Sequence, residues 1–207
     1  MKIFEDYFWP DADTITPAVV LNEVKRLPLY LAHVPGRACC VQAGGNVGVY
    51  ANALAREFAQ VITVEPDPEN WECLRRNVTT PHVQAHHACL GDAPAGGWET
   101  YRPEHETHNF GATCVRPASA GGVPMLAVDG WDLEKLDFLM LDIEGYEQSA
   151  LEGAVATIQR CRPVIALELK GLGQKHGWPD DMTHAWLVAQ GYRQAATLGR
   201  DFIYTPC

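Results

Sequence analysis

Short apolar runs alternate with segments of helical spacing along most of this chain. The apolar runs are continuous, which is typical of strands buried on both faces of a sheet. They lie at residues 38–43, 59–64, 83–90, 125–128, 136–143 and 163–169. Apolar residues recur at helical intervals around them, at residues 15–31, 46–59, 69–77, 147–160 and 182–190. Strands that alternate with helices predict an α/β fold, with a mostly parallel sheet covered by helices on both faces.

Two segments depart from this alternation, and the end of the chain differs as well. Residues 1–36 combine aromatic side chains with a helical pattern and are expected to form a helical cover. Residues 92–123, rich in Gly, Pro, His and Thr, predict a hairpin insertion with a mobile tip. Residues 192–196 and 202–205 predict a terminal antiparallel hairpin. A chain of 207 residues fits a single domain, 1–207, built on a seven-stranded sheet.

Composition narrows the classes of function. Apolar residues make up 47% of the chain, and the formal net charge of -10 gives no general attraction to nucleic acids or anionic membranes. Seven cysteines without a C-x-x-C motif predict neither a disulfide framework nor a structural zinc site. The N-terminus lacks a signal-peptide pattern and no apolar run reaches transmembrane length, so we expect a cytoplasmic protein. The oligomeric state stays open.

The first predicted strand ends in a glycine-rich turn, and the second ends in an acid. Gly44, Gly45 and Gly48 allow backbone to approach a ligand closely, and Asn46 either hydrogen-bonds that ligand or caps the next helix. Glu65 is suited to accept hydrogen bonds from two ribose hydroxyls, or to cap a helix. The NAD fingerprint G-x-G-x-x-G is absent, so the spacing favours S-adenosylmethionine. A tight turn without a ligand is the alternative.

Two further strand ends carry candidate site residues. Asp92 is suited to accept a hydrogen bond from an adenine amino group while Leu90 packs on the ring; an ordinary Gly-Asp turn is the alternative. Asp142 and Glu144 follow the most apolar run of the chain. Two carboxylates this close raise the pKa of at least one of them, which suits a general base or an anchor for a substrate hydroxyl. Capping of the following helix is the alternative.

The insertion supplies a second candidate base. His105 and His108 lie in a loop expected over the ligand crevice, where substrate contacts concentrate, and His108 is the candidate catalytic group. Solvated loop histidines are the alternative. Carboxylates and histidines near one crevice are able to hold a divalent metal, but no spacing demands one and no metal site is predicted.

At these positions the chain resembles the FkbM-type S-adenosylmethionine-dependent methyltransferases. The first matching block is Val-Gln-Ala-Gly-Gly-Asn-Val-Gly at 41–48, followed by Val-Glu-Pro-Asp-Pro at 64–68. The second is Asp-Phe-Leu-Met-Leu-Asp-Ile-Glu-Gly at 137–145, which in the family reads Asp-Phe-x-Lys-x-Asp-x-Glu-Gly. Met140 replaces the family's lysine, and Gln42 stands where the family has an acid in the first turn.

The resemblance implies a Rossmann-like class I methyltransferase fold and methyl transfer from S-adenosylmethionine to a hydroxyl oxygen of a sugar or another small molecule. It implies that Asp142 lies between cofactor and acceptor. The cofactor contacts that it implies are Gln42, Gly44, Gly45, Asn46, Gly48 and Glu65. Two alternatives stay open: an N-methyltransferase, whose nucleic-acid form the acidic charge disfavours, and a non-catalytic binding module, with Gln42 and Met140 as signs of lost activity.

Overall fold

The computed structural model describes residues 1–92 and 96–207, so residues 93–95 of the predicted insertion lie outside the described residues. The strands are β1 (Lys2–Phe4), β2 (Tyr7–Trp9), β3 (Cys39–Ala43), β4 (Gln60–Val64), β5 (Val83–His86), β6 (Cys89–Leu90), β7 (Trp98–Tyr101), β8 (Cys114–Pro117), β9 (Met125–Leu126), β10 (Phe138–Leu141), β11 (Val164–Glu168), β12 (Tyr192–Leu198) and β13 (Asp201–Pro206). The α-helices are α1 (Thr16–Glu23), α2 (Leu27–Leu31), α3 (Val49–Leu54), α4 (Pro68–Asn77), α5 (Glu147–Glu152), α6 (Val155–Cys161) and α7 (Asp180–Ala189).

Seven strands form the central sheet, in the order β12-β13-β11-β10-β3-β4-β5. The five strands from β11 to β5 run parallel, and β13 lies antiparallel between β11 and β12. The predicted α/β fold, mostly parallel with a terminal antiparallel hairpin, is confirmed. The strand order reverses between β3 and β10, and ligands of open parallel sheets bind beyond the carboxyl ends of the strands at such a switch point.

The hydrophobic core lies on both faces of this sheet. Every residue of β3 and β10 is buried, as their continuous apolar runs predict. Val41 and Leu139 pack with α5 and α6 on one face, while Cys40 and Phe138 pack with α2 and α3 on the other. Alternate residues of each strand therefore fix it to opposite helical layers, and the strand ends are held in place around the switch point.

The structure divides three elements that the sequence pattern joins. The predicted helix 15–31 contains a 3-10 turn at Val24–Arg26 between α1 and α2. The other two divisions are larger breaks. The predicted helix 147–160 is broken into α5 and α6 at Gly153, where a Cβ atom would lie 2.2 Å from the carbonyl oxygen of Gly91. The predicted strand 83–90 is divided into β5, at the edge of the central sheet, and β6, which pairs with β9. Both breaks come from contacts between distant segments, which local periodicity does not encode.

The N-terminal segment and the insertion meet at one side of the sheet. The segment contains a small hairpin, β1–β2, before its helices, and the insertion contains the antiparallel pair β7–β8. The Gly111 backbone N–H donates to Thr16 Oγ1 at 2.8 Å, and the Thr14 N–H donates to the His108 carbonyl at 3.1 Å. Among the residues described, no helix combines the length and apolar character needed to cross a lipid bilayer.

Candidate functional site

A cavity of about 820 Å³, here called the switch-point cavity, opens at the carboxyl ends of β3, β4 and β10. The turn after β3 contributes Gly44, Gly45 and Asn46, while Glu65 follows β4 and Asp142 follows β10. The structure therefore brings together candidate residues from three separate segments.

Gly44 makes the approach of two turns possible. Its φ is +87°, and a Cβ atom there would lie 2.0 Å from the Asp142 carbonyl oxygen. A side chain is excluded by both the backbone conformation and the space. The Asp142 N–H donates to the Ala43 carbonyl at 3.2 Å. The glycine turn and the Asp142 turn therefore form one continuous wall of the cavity.

Glu65 joins the end of β4 to the glycine turn. One carboxyl oxygen accepts the Asn46 N–H at 2.7 Å and the other accepts the Asp67 N–H at 2.8 Å. The residue is 4% exposed. Burial and the nearby Asp67 raise the pKa of Glu65 to about 8, against the opposing effect of its backbone hydrogen bonds. A carboxyl group held in this way keeps lone pairs for hydroxyl donors.

Part of the lining is apolar and is suited to a flat ring. Leu90, predicted to pack on adenine, is 3% exposed and lines the cavity. It is accompanied by Ala88, Phe110, Val115, Ile143 and Tyr146. Phe110 belongs to the insertion, where Arg102 lies over its ring at 3.6 Å and pairs with Asp67 at 2.8 Å. The sequence did not identify this link between the insertion and the end of β4.

Three predicted cofactor residues, Gln42, Gly48 and Asp92, are absent from the described lining of the switch-point cavity. Gln42 Nε2 donates to the Gly44 carbonyl at 2.7 Å, and its Oε1 accepts from Thr63 at 2.6 Å. Asp92 accepts from the Ser149 hydroxyl at 2.7 Å. These polar side chains are satisfied by the protein, so their assignment to a cofactor stays a prediction.

A compact charged cluster lies beside the cavity, at the ends of β10 and β11. Lys170 Nζ lies 2.6 Å from Glu144 Oε1, 2.7 Å from Glu168 Oε2 and 3.7 Å from Asp142 Oδ1. The sequence identified Asp142 and Glu144 but missed Glu168 and Lys170. The signal that could have found them is the strand 163–169, whose carboxyl end must lie beside that of the strand before Asp142 in a parallel sheet.

The carboxyl groups of this cluster differ in the direction of their pKa shifts. Partial burial raises the pKa of Asp142, whose side chain is 49% exposed; Glu168 and Glu144 add to the shift, and Lys170 opposes it. Burial likewise raises the pKa of Glu144. Burial acts to raise the pKa of Glu168, but its hydrogen bond with Asp142 and the Lys170 ammonium outweigh this and lower it. Within this cluster the pKa shifts of Asp142 and Glu168 therefore run in opposite directions.

The carboxyl oxygens of Asp142, Glu144 and Glu168 lie within 4.8 Å of one another, close enough to be offered to one metal ion. The Lys170 ammonium already lies within hydrogen-bonding distance of two of these carboxyls. A lysine cation in this position balances part of the negative charge that would otherwise attract a metal.

A second cavity of about 1140 Å³, here called the outer cleft, adjoins the first. Asp142 and Glu144 line both cavities. Lys175 and His105 also line the outer cleft. His108 is exposed, with its ring Nδ1 3.2 Å from the Ala12 carbonyl, and it is absent from the described lining of both cavities. Its catalytic role stays a prediction that this position does not support.

Comparison with known proteins agrees with this architecture. Residues 42–194 match the family described as the methyltransferase FkbM domain. Methyltransferase 1 of Beauveria bassiana (strain ARSEF 2860) is 25% identical over 158 residues, covering 59% of this chain and 61% of that protein. The solved FkbM methyltransferase of Methylobacillus flagellatus KT is 20% identical with a TM-score of 0.53, over 82% of this chain and 43% of that chain.

A third similar protein differs in its described activity. The precorrin 8W decarboxylase of Methanobacterium thermoautotrophicum is 16% identical with a TM-score of 0.55, over 100% of both chains. At such identities the solved structures show the fold alone. This chain spans less than two thirds of the first two relatives, namely 61% and 43% of their lengths.

Proposed function

Because the chain belongs to the methyltransferase FkbM family, we propose that it transfers a methyl group from S-adenosylmethionine to a hydroxyl oxygen of a small molecule such as a sugar. One observation carries the proposal: Asp142 lies at the junction of two cavities, the switch-point cavity and the outer cleft. Direct transfer between two bound substrates requires that both are held in adjoining space with their reacting atoms aligned.

The residues of the switch-point cavity suit the cofactor. Glu65 would hold the ribose hydroxyls, the turn from Gly44 to Asn46 would pass close to the methionine part, and the apolar slot with Leu90 would take the adenine. Asn70 supports this fit, because it lines the same cavity, is 1% exposed, and has an Oδ1 without a hydrogen-bond partner among the described residues. A buried acceptor without a donor calls for a partner, and in this cavity a polar ligand is able to supply one.

When bound, S-adenosylmethionine supplies a methyl group that its sulfonium already activates. The protein's task is then to align the acceptor hydroxyl and to receive its proton. Asp142 is the group suited to the second task, since its side chain is 49% exposed and faces both compartments. In its anionic form Asp142 accepts the hydroxyl proton. Lys170 lies 2.6 Å from Glu144 and 2.7 Å from Glu168, so it holds both neighbouring carboxyl groups in position.

The test begins with binding of S-adenosylmethionine and of its demethylated product, S-adenosylhomocysteine. Calorimetry and thermal melts measure this binding. Uptake of a labelled methyl group is then screened over hydroxylated small molecules and their amino analogues. We expect label in hydroxylated compounds. A protein that binds neither form of the cofactor would instead be a binding module, and label found in amines alone would establish an N-methyltransferase.

The variant Asp142→Ala should lower turnover by about a hundredfold or more, the usual contribution of a general base, with the Kd for S-adenosylhomocysteine changed far less. Asp132→Asn is the control. The Asp132 side chain is 99% exposed, so this substitution removes the same charge at the surface. Turnover that survives in Asp142→Ala would remove Asp142 from the mechanism.

A further inference from the structure

Glu23, the last residue of α1, lies where three cavities meet. It lines the switch-point cavity, the outer cleft and a third cavity of about 500 Å³ that also contains Tyr30 and Met140. Of the described residues, only Glu23 and Asp142 line all three. The N-terminal segment therefore places one carboxylate at the junction, opposite the carboxylate that follows β10.

The Glu23 carboxyl group has no hydrogen bond or ion pair within the part of the chain that the structure describes. Burial raises its pKa, and the nearby Glu168 and Asp201 raise it further, against weaker opposition from Arg26 and Lys170. These two cations are engaged elsewhere: Lys170 pairs with Glu144 and Glu168, and Arg26 donates to the Leu198 carbonyl and lies 3.8 Å from Asp201.

A carboxylate enclosed among other acids without a counterion carries a desolvation cost, which a bound cation offsets. The other residues that line the switch-point cavity indicate which cation would lie next to Glu23. On the proposed function, the adenosine part of the cofactor occupies the apolar slot around Leu90 and contacts the Glu65 carboxyl group. The lining left for the methionine part includes the glycine turn and three carboxyl side chains, Glu23, Asp142 and Glu144. Lys170 lies 2.6 Å from Glu144 and 3.7 Å from Asp142, so Glu23 is the one of the three without a lysine or arginine ion pair among the described residues.

We propose that Glu23 binds the α-ammonium group of the cofactor's methionine part. The inference rests on the proposed function, since it requires S-adenosylmethionine in the switch-point cavity. The ammonium group supplies the positive charge that Glu23 lacks, and a carboxylate–ammonium hydrogen bond is among the stronger ones in proteins. The family match begins at residue 42, so nothing in that match assigns a role to this helix.

The test compares Glu23→Gln with the wild-type protein, using S-adenosylhomocysteine and its deaminated analogue, which lacks only the α-ammonium group. Glutamine keeps the size and shape of the side chain and removes its charge. We expect Glu23→Gln to raise the Kd for S-adenosylhomocysteine by about tenfold or more, the usual value of a hydrogen bond to a charged group. The Kd for the deaminated analogue should be the same in both proteins.

Glu57→Gln is the matched control. Glu57 is an exposed acid near the end of α3, and its substitution changes the net charge by the same amount as Glu23→Gln. Equal Kd values for S-adenosylhomocysteine in Glu23→Gln and wild type would overturn the inference and leave the proposed function intact. Equal weakening of both ligands would also overturn it, since that result indicates a structural role. Failure of the wild-type protein to bind S-adenosylhomocysteine would overturn the proposed function itself.

Discussion

Replacement of Lys170 by Met should move the acidic limb of methyl transfer to higher pH. The ammonium group of Lys170 lies 3.7 Å from Asp142 Oδ1 and favours the charged form of that carboxyl group. Its removal makes the anion less favourable, so the pKa of Asp142 rises. The anionic base then forms only at a higher pH than in the wild-type protein.

The size of this shift follows from the distance and the exposure. Because the Asp142 side chain is 49% exposed, the screening of water is the appropriate lower limit. At this separation two unit charges interact by about 1 kcal/mol in water, and a pKa unit corresponds to about 1.4 kcal/mol. We therefore expect the limb to move upward by roughly one pH unit.

The assay is turnover as a function of pH, measured with an acceptor found in the methyl-uptake screen. Lys170→Arg keeps the positive charge and should restore a limb close to that of the wild type. Lys135→Met is the matched control, because Lys135 is an exposed lysine outside the described linings of the three cavities.

Titration of ¹³C-labelled aspartate carboxyl groups by NMR gives a second measurement that needs no acceptor. The midpoint assigned to Asp142 should rise in Lys170→Met. In Lys170→Met, the acidic limb of turnover and the titration midpoint of Asp142 should both move upward. If both stay in place or move to lower pH, Lys170 is not the cation that controls the pKa of Asp142.

Three further predictions concern the cofactor wall and the insertion. Glu65→Gln should weaken S-adenosylhomocysteine binding about tenfold or more. The pKa of Glu65 is raised from 4.5 to about 8, so ligand-free wild-type protein should lose stability as pH rises between these values. Glu65→Gln should show a smaller loss in denaturant titrations, with the remainder coming from other buried carboxyl groups such as Glu147, whose pKa is raised to about 7. Gly44→Ala should destabilise the protein by about 1–3 kcal/mol in the same titrations, because φ is +87° and the added Cβ meets the Asp142 carbonyl. His108→Ala should leave turnover unchanged, because the imidazole ring is exposed and lies within hydrogen-bonding distance of a backbone carbonyl. A large loss of turnover would restore His108 as a candidate base.

The strand ends were the predictable part of the site. Parallel strands place their carboxyl ends at one edge of a sheet, so the order of apolar runs sufficed to bring the glycine turn, Glu65 and Asp142 to one cavity. The sequence does not show whether a polar side chain already has a partner. Gln42 accepts a hydrogen bond from Thr63, and Asp92 accepts one from Ser149. Each partner lies more than twenty residues away in the chain.

Residues contributed from outside the predicted strand ends were harder to find. Glu23 belongs to an ordinary helical pattern, and its position at the junction depends on how α1 packs over the sheet. Lys170 directly follows a predicted strand and pairs with Glu168 of that strand, but its contacts with Asp142 and Glu144, which follow β10, depend on how the two strands lie side by side. Such pairings depend on tertiary packing, which hydrophobic periodicity does not specify.

The contact between Thr16 and Gly111 lies in a part of the molecule that the central sheet does not fix. Both residues line the outer cleft, and both belong to segments beyond the central sheet. Glu65 and the glycine turn, by contrast, are fixed by the buried strands β3 and β4. Residues 103–109 contribute Pro103, His105, Glu106 and Asn109 to the outer cleft and none to the described lining of the switch-point cavity. On the proposed function, exchange of this loop for that of a relative would therefore reshape the entrance for the acceptor and leave the cofactor pocket as it is, which makes it the place to change the acceptor.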